Sequence, residues 1–202
     1  MSVIVRQPTL VAFDFDGTLT RGESFFRFLA FATPWYRFAF CFLRSLPVLL
    51  LYVGRLMDNE SAKIHVLKVF LRGRALAEIQ DKAERFSLTK IAPTLRPEAI
   101  AKLRGHQKQG HVCVLVSATL AIYLRPWARE MGFEAVLATE LAVDAAGRLT
   151  GELASPNCYG PEKAARLRQK FGQEQIRAAY GDSSGDTEML AMAEQAFYRP
   201  WH

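Results

Sequence analysis

The pattern of apolar and polar positions divides the chain into two kinds of segment. Residues 10–13, LVAF, form a short and wholly apolar run, which is typical of a strand buried on both faces. Residues 21–93 show only helical patterns, and helices are expected there at residues 23–32, 62–71 and 75–86. After residue 94, short apolar runs alternate with helical patterns, as in α/β proteins. The first strand is therefore expected to join a sheet that is completed only after a long helical insertion.

The second half of the chain supplies the other elements of that sheet. Strands are predicted at residues 111–117, 134–138, 177–180 and 196–198, a hairpin at 141–153, and helices at 98–109, 120–131, 160–171 and 185–194. Strands that alternate with helices form a parallel sheet with helices on both faces. The predicted fold class is α/β: a three-layer, Rossmann-like parallel sheet core of residues 1–20 and 94–202, with an all-helical cap domain, residues 21–93, inserted after the first strand.

The segment from residue 35 to 57, WYRFAFCFLRSLPVLLLYVGRLM, is the most apolar part of the chain. It is long enough to span a bilayer, but Arg37, Arg44, Arg55 and Pro47 interrupt it, which argues against a simple span. Three interpretations stay open from the sequence: a buried or partly exposed pair of cap helices, a hairpin lying in the plane of a membrane surface, and a true span.

The overall charge narrows the class of partner. The formal net charge is +6, which suits an anionic substrate, an anionic membrane surface or nucleic acid. Nucleic acid is not expected, because the basic residues are scattered and no zinc-finger spacing or aromatic–basic RNA-binding signature occurs. An anionic substrate and an anionic membrane surface therefore both stay open as expected partners.

The cysteines and the first residues bear on the location of the protein. Cys41, Cys113 and Cys158 are an odd number, lie far apart and lack metal-ligand spacing, which is typical of reduced thiols in a cytoplasmic protein. Residues 1–7 lack the basic region and apolar stretch of a secretory signal. A cytoplasmic protein is expected, with a peripheral position at the inner face of the membrane as the alternative.

Two carboxylates follow the first strand at once. Asp14 and Asp16 are two residues apart, so they would point to the same side of a continuing strand, and Gly17 breaks the strand just after them. Ligands of open α/β sheets bind at this carboxyl edge. Because two uncompensated acids are costly at a strand end, the pair predicts a site for a cation or a substrate, although a surface turn would show the same pattern.

Three further positions lie at predicted strand ends or helix starts. Ser117 and Ala118 follow a buried strand, where a hydroxyl and the N–H groups of a helix start can hold phosphate oxygens. Lys163 lies near a helix start, a position unfavourable for a cation unless an anion is close. Asp182 and Asp186 lie on a tight turn, and oxygen ligands on such a turn suit Mg²⁺. Singly, these positions are also explained by an N-cap, a surface lysine and capping acids, but their order across separate strands makes the combination specific.

The four motifs in this order, DFDGT, the SAT strand end, Lys163 and GDSSGD, resemble those of the haloacid dehalogenase superfamily of aspartyl phosphohydrolases over nearly the whole chain. The helical cap after the first motif is similar to the branch that contains phosphoserine phosphatase. The apolar segment and the NCYGPEK stretch around Lys163 look more like the bacterial phosphatidylglycerophosphate phosphatase of this superfamily. The resemblance implies a Mg²⁺-dependent phosphatase.

The resemblance also implies a role for each motif residue. Asp14 would be the nucleophile that forms an aspartyl-phosphate, and Asp16 would be the general acid and base. Glu23 matches an acid at the cap entry of that branch and is a candidate substrate contact. The implied Mg²⁺ ligands are Asp14, the backbone carbonyl of Asp16, and Asp182, with Asp186 in support, and the implied phosphate-binding residues are Gly17, Thr18, Ser117, Ala118 and Lys163.

The substrate and the phosphoryl acceptor stay open at this point. Phosphoserine phosphatases carry a cap arginine for the substrate carboxylate and an asparagine before the last aspartate, whereas this chain has the cap helix KIHVLKVFL and Gly185. The expected function is hydrolysis of a phosphomonoester, either a small soluble ester or a lipid phosphate. A phosphotransferase with an acceptor other than water, and a non-catalytic binding protein of the same fold, are the alternatives.

Overall fold

The computed structural model of the protein describes residues 9–172 and 175–201. Its strands in this part of the chain are β1 Leu10–Phe13, β2 Val112–Leu120, β3 Ala135–Thr139, β4 Leu141–Val143, β5 Leu149–Leu153, β6 Ile176–Gly181 and β7 Ala193–Tyr198. Five of them form a parallel sheet in the order β3-β2-β1-β6-β7, and β4 pairs with β5 in an antiparallel hairpin. The predicted α/β class, the parallel sheet and the hairpin are confirmed.

The helices of the described residues separate into a cap group and a core group. The cap group is α1 Phe25–Ala32, α2 Trp35–Val53, α3 Asn59–Leu71 and α4 Leu76–Lys90, and the core group is α5 Pro97–Lys108, α6 Ala121–Glu130, α7 Pro161–Phe171 and α8 Thr187–Ala191. Single 3-10 turns occupy Ala92–Thr94 and Ser184–Asp186. The cap group follows β1 directly, so the insertion after the first strand is helical, as the sequence predicted.

Strand β1 lies in the middle of the sheet and sends its side chains alternately into two apolar layers. All four of its residues are at most 1% exposed. Val11 and Phe13 pack in a core cluster that includes Phe28 of the cap, whereas Leu10 and Ala12 pack in a second cluster on the other face. A strand between two apolar layers has no position for a polar side chain, which explains the wholly apolar run.

The chain enters and leaves the cap at one place. The N–H of Arg21 donates to the carbonyl of Thr94 at 2.7 Å, and the N–H of Arg96 donates to the carbonyl of Leu19 at 2.9 Å. The two crossings therefore lie side by side, just beyond the end of β1. This arrangement supports the proposed division into a core and an inserted cap of residues 21–93.

Helix α2 differs from the pair of cap helices that was one of the three interpretations of residues 35–57. Residues 35–53 form one continuous helix with Pro47 inside it. Proline removes one intrahelical hydrogen bond, the one to the carbonyl of Leu43, in a part of the helix where Leu43 is 66% exposed. The helix nevertheless continues through the proline to Val53. Cys41 and Ser45 are the buried residues of α2, so most of its surface faces solvent.

The helix predicted at residues 185–194 is also shorter than expected. A 3-10 turn, Ser184–Asp186, precedes the five-residue α8, and β7 begins at Ala193. Alanine and glutamate are compatible with a helix, but pairing with β6 decides the conformation here, because Ile176 pairs with Ala193 at the sheet edge. Tertiary pairing has overridden local helix propensity at this position.

Candidate active site

The carboxyl ends of three neighbouring strands define the candidate site. Asp14 follows β1, Ser117 lies near the end of β2, and Asp182 follows β6. Since β1 lies between β2 and β6, these positions are adjacent in space. The N–H of Asp14 donates to the carbonyl of Tyr180 at 2.9 Å, which continues the β1–β6 pairing and fixes the backbone that carries the first carboxylate.

A buried lysine bridges two of the predicted acids. The Nζ of Lys163 lies 2.6 Å from Oδ1 of Asp14 and 2.6 Å from Oδ1 of Asp186. Burial lowers the pKa of Lys163, but the charges of Asp14 and Asp186 outweigh this effect, so its pKa lies above the usual lysine value. These two carboxylates explain how a cation is tolerated in the first turn of α7.

Three aspartates converge on one point. Asp14, Asp182 and Asp186 each offer a carboxylate oxygen, and these atoms lie within 4.8 Å of one another. Burial, reinforced by the charge of Asp186 and opposed by Lys163, raises the pKa of Asp14 to about 8. Three acids facing a single lysine leave excess negative charge, and a set of carboxylate oxygens is the donor chemistry that Mg²⁺ prefers. The residues present therefore fit a divalent cation.

Gly17 and Thr18 hold this cluster together. Thr18 donates its hydroxyl to Oδ2 of Asp14 at 3.3 Å or to Oδ1 of Asp182 at 3.4 Å. A Cβ on Gly17 would lie 2.1 Å from Oδ2 of Asp182, and the φ angle of Gly17 is +79°. Both the space and the backbone conformation thus require glycine after the first two acids.

Asp186 is fixed by the turn on which it lies. Its Oδ2 accepts hydrogen bonds from the N–H groups of Asp182 and Ser183, at 3.1 and 3.0 Å, and from the Ser183 hydroxyl at 3.0 Å. Its other oxygen accepts from Lys163. This carboxylate therefore shapes the loop after β6 and at the same time carries charge into the cluster.

Asp16 lies in the same cavity but has different partners from Asp14. Its two carboxylate oxygens accept hydrogen bonds from the N–H and the hydroxyl of Ser24, both at 2.9 Å. Burial, together with the charge of Glu23, raises the pKa of Asp16 to about 7. Strand β1 ends at Phe13, so the same-side argument for a continuing strand does not apply, and the chain turn gives the two acids separate environments.

The SAT strand end lies beside the cluster, with its residues oriented differently. The hydroxyl of Ser117 is buried and accepts a hydrogen bond from the N–H of Thr119 at 3.2 Å, whereas Ala118 and Thr119 line the cavity. The pairing register between β2 and β3 shifts between Ser117 and Leu120, and a shift of this kind changes the direction of the backbone. Phosphate binding by Ser117 and Ala118 stays a prediction.

Lys63 is a cavity residue that the sequence analysis missed. It opens the KIHVLKVFL stretch, and its Nζ donates to the carbonyl of Ala118 and to Oδ1 of Asn157, both at 2.7 Å. Burial lowers the pKa of Lys63 to about 8, although the charges of Asp16 and Glu23 act in the opposite direction. In the sequence, only its position near the start of the helix predicted at residues 62–71 could have indicated it.

Glu23 lies at the cap side of the same cavity. Burial and the charge of Asp182 raise its pKa, whereas the charges of Lys63 and Lys163 lower it. The candidate substrate acid therefore lies within electrostatic reach of the aspartate cluster and of both lysines.

The cavity between core and cap has a volume of about 540 Å³. Its floor, at the edge of the sheet, carries charges of both signs: the acids Asp14 and Asp16 and the base Lys163. The cap side is largely apolar, and its apolar lining residues are Phe25, Phe26, Leu49, Ala62 and Val66. A charged floor below an apolar wall is suited to a ligand with an anionic group and a less polar remainder.

An acidic cluster bridged by a buried lysine, at the carboxyl edge of a parallel sheet, can bind a divalent cation together with an anionic ligand. A family model described as haloacid dehalogenase-like hydrolase matches residues 11–191. The chain is 42% identical over 197 residues to Protein CicA of Caulobacter vibrioides, and the match covers 96% of this chain and 86% of that protein.

Solved structures agree with this assignment at the level of the fold. A protein of unknown function from Bordetella pertussis Tohama I has a TM-score of 0.79 and 26% identity, covering 92% of this chain and 87% of that one. A phospho-aspartyl intermediate analogue of phosphoserine phosphatase has a TM-score of 0.63 and 20% identity, and the match covers 93% of this chain and 84% of that one. The chain belongs to the haloacid dehalogenase-like hydrolases. This is a family of hydrolases, in agreement with the predicted class of enzyme.

Proposed function

We propose that the protein is a Mg²⁺-dependent phosphomonoester phosphatase that acts through an aspartyl-phosphate on Asp14. The observation that carries the proposal is the bridge from Lys163 to Asp14 and Asp186 inside a cluster of three aspartates. An anionic carboxylate approaches an anionic phosphate only where positive charge offsets the repulsion. Asp14, Asp182 and Asp186, with the backbone carbonyl of Asp16, would hold Mg²⁺, which supplies part of that charge when it is bound.

The protein groups divide the chemistry between them. Asp14 attacks phosphorus, so that a bond forms from its carboxylate oxygen while the bond from phosphorus to the ester oxygen breaks. Asp16 gives a proton to the leaving oxygen and later takes one from the water that attacks the aspartyl-phosphate. Ser24 supports this role because its two hydrogen bonds orient the Asp16 carboxyl. Lys163, Gly17, Thr18, Ser117 and Ala118 are the proposed contacts of the phosphoryl group.

The cavity lining supports a substrate with a partly apolar leaving group. Phe25, Phe26, Leu49 and Val66 form much of the cap wall, so an aryl or alkyl phosphate finds matching surface there. Free phosphoserine has a carboxylate and an ammonium group in place of an apolar remainder. On the cap side, the charged residues available to these groups are Lys63 and Glu23. A panel of phenyl, naphthyl and hexyl phosphates against O-phosphoserine separates the two classes, and a higher kcat/KM for O-phosphoserine would contradict the apolar assignment.

The variant Asp14→Asn tests the nucleophile directly. We expect loss of turnover of an aryl phosphate by at least about 10³-fold, because an amide does not form the acyl phosphate. Asp81→Asn, an exposed aspartate on α4, is the matched control and should turn over like the parent chain. When the parent protein is quenched in acid during turnover of a labelled ester, it should retain a covalent phosphoryl label that hydroxylamine removes. Normal turnover by Asp14→Asn, or turnover that is indifferent to removal of Mg²⁺ by a chelator, would overturn the proposal.

The acceptor of the phosphoryl group is proposed to be water. An aspartyl-phosphate can equally be resolved by an alcohol, so the alternative is a phosphotransferase. The two differ in product: a transferase gives the phosphate ester of an added alcohol, such as glycerol, in place of inorganic phosphate. Release of one inorganic phosphate for each ester cleaved, unchanged by added glycerol, is the result expected for the hydrolase.

A further inference from the structure

The side of α2 that faces away from the cap is an exposed apolar surface. We call it the outer face, and its residues are Tyr36, Phe40, Leu43 and Leu50, each between 62% and 66% exposed. Their spacing of four, three and seven residues places them on one side of a helix. Trp35, Val53 and Leu56 extend the surface at its ends and are between 77% and 83% exposed. A contiguous apolar surface of this kind on a soluble domain marks an interaction site.

A stripe of arginines runs along one edge of the outer face. Arg37 and Arg44 are exposed and lie seven residues apart, which is about two helical turns, and Arg55 follows just after the helix ends. The stretch of residues 24–57 contains arginine as its only charged residue type. The surface is therefore both apolar and cationic, without an acidic residue in its own segment.

We propose that α2 docks on an anionic lipid bilayer, lying in the plane of the membrane. The outer face would enter the boundary between headgroups and acyl chains, and Arg37 and Arg44 would contact lipid phosphates at the edge of the helix. Trp35 and Tyr36, at the N-terminal end of the helix, are the residue types that favour this boundary. Docking of this kind is independent of the chemistry proposed for Asp14.

The inner side of α2 supports a position in the plane rather than across the bilayer. By length and composition α2 could cross a membrane, but Cys41 and Ser45 are buried against the cap. The thiol of Cys41 donates to the carbonyl of Val69 at 3.5 Å, and the ring of Phe38 lies 5.4 Å from that of Phe70. A spanning helix would give up these contacts with α3, whereas a helix lying on the surface keeps them.

Charge favours a bilayer over a second copy of the chain as the occupant. Two copies that met through their outer faces would bring together arginine stripes from segments with no aspartate or glutamate. Like charges brought together in this way repel each other, whereas anionic headgroups supply the opposite charge.

The opposite side of α2 contributes to the cavity. Leu49 and Tyr52, from the same turns as Leu50, line this cavity, so the outer face and the cavity wall are two sides of one helix.

Vesicle flotation of the full chain tests the proposal. The parent protein should float with phosphatidylcholine vesicles that contain about 30% phosphatidylglycerol, and binding should fall strongly with pure phosphatidylcholine or when salt is raised from about 0.05 to 0.5 M. The double variant Leu43→Gln/Leu50→Gln should weaken partitioning by at least about 10-fold. The double variant Arg37→Gln/Arg44→Gln should weaken it about 30-fold on anionic vesicles.

Matched controls come from other exposed residues. Leu88→Gln on α4, and Arg85→Gln/Arg129→Gln on α4 and α6, remove the same side-chain types away from α2 and should float like the parent. Thermal unfolding and aryl phosphate turnover establish that each variant is folded. Failure of the parent to float at low salt, equal flotation of the Leu43→Gln/Leu50→Gln variant, or a lipid-free dimer that this variant dissociates would each overturn the proposal.

Discussion

The ring of Tyr159 occupies the space that a side chain at residue 185 would need. A Cβ built on Gly185 would lie 2.3 Å from a ring carbon of Tyr159, and the Tyr159 hydroxyl lies 3.1 Å from the hydroxyl of Ser184. The tyrosine of the NCYGPEK stretch and the glycine that stands in place of asparagine in the GDSSGD loop are therefore coupled by packing. With the Tyr159 ring in this position, residue 185 has no room for the asparagine of the phosphoserine phosphatase pattern.

Gly185→Asn should destabilise the loop after β6. The new side chain would displace the Tyr159 ring, and overpacking of this kind costs about 1–3 kcal/mol in the free energy of unfolding. The double variant Tyr159→Ala/Gly185→Asn should recover most of the loss, since the alanine opens the space. Gly105→Asn, where nothing lies within 4 Å of a built Cβ, is the control. Equal effects at Gly185 and Gly105 in urea unfolding would contradict the proposed coupling.

Lys163→Met should damage both stability and turnover. The methionine leaves the buried carboxylates of Asp14 and Asp186 without a cation, and breaking a buried ion pair costs about 3–5 kcal/mol. Added Mg²⁺ should restore part of the unfolding free energy, because it neutralises the same charges, but it should not restore turnover. Lys170→Met, an exposed lysine on the same helix, serves as the control. A Lys163→Met protein as stable as the parent in chelator would show that the bridge contributes nothing to the fold.

The central part of the site could be predicted from sequence for a topological reason. Asp14 and Asp182 each follow an apolar strand, Ser117 lies near the end of another, and neighbouring parallel strands place such ends at one edge. Lys163 was recognisable because a cation in the first turn of a helix needs an anion nearby. These inferences depend on backbone direction and on strand order, which the hydrophobic pattern largely determines.

Side-chain direction was not predictable in the same way. Asp16 turns toward Ser24, and the Ser117 hydroxyl turns toward its own backbone, because the chain bends at both strand ends. Lys63 reaches the core only through the docking of α3, which sequence spacing does not reveal. The exposed side of α2 could not be predicted either, since a helix that is apolar on nearly all sides gives no indication of which side packs.

Asn157→Ala should loosen the contact between cap and core. Oδ1 of Asn157 accepts from Lys63 and from the hydroxyl of Thr139, both at 2.7 Å, its backbone N–H donates to Glu60, and its Nδ2 donates to Asn59. Removing the amide takes one acceptor from Lys63 and one from Thr139, each of which keeps the carbonyl of Ala118, and the loss should cost about 1–3 kcal/mol. KM for an aryl phosphate should rise more than kcat falls, because the cap wall moves. Asn59→Ala, which breaks only the outer part of this network, should have a smaller effect, and the reverse order would contradict the assignment of Asn157 as the central residue.

The pair His106 and His111 should make the fold sensitive to mild acid. Nδ1 of His106 lies 2.9 Å from Nδ1 of His111, and its Nε2 lies 2.8 Å from the hydroxyl of Tyr180. Burial first, and then the charge of His111 with those of Lys102 and Arg177, lowers the pKa of His106 from 6.5 to about 4. The unfolded chain therefore binds one more proton between these values, and the stability contributed by the neutral ring is lost as pH falls from about 6.5 to about 4.

Urea unfolding of the parent and of His106→Gln at several pH values isolates this effect. The glutamine cannot titrate, so the difference in unfolding free energy between the two proteins should be largest near pH 7 and should shrink toward pH 4, while the carboxylates common to both cancel. Turnover of a soluble phosphate ester should differ little between them at pH 7, since the ring lies outside the cavity. A difference that stays constant with pH would show that His106 titrates at the same pKa in both states, which would contradict the inferred effect of burial.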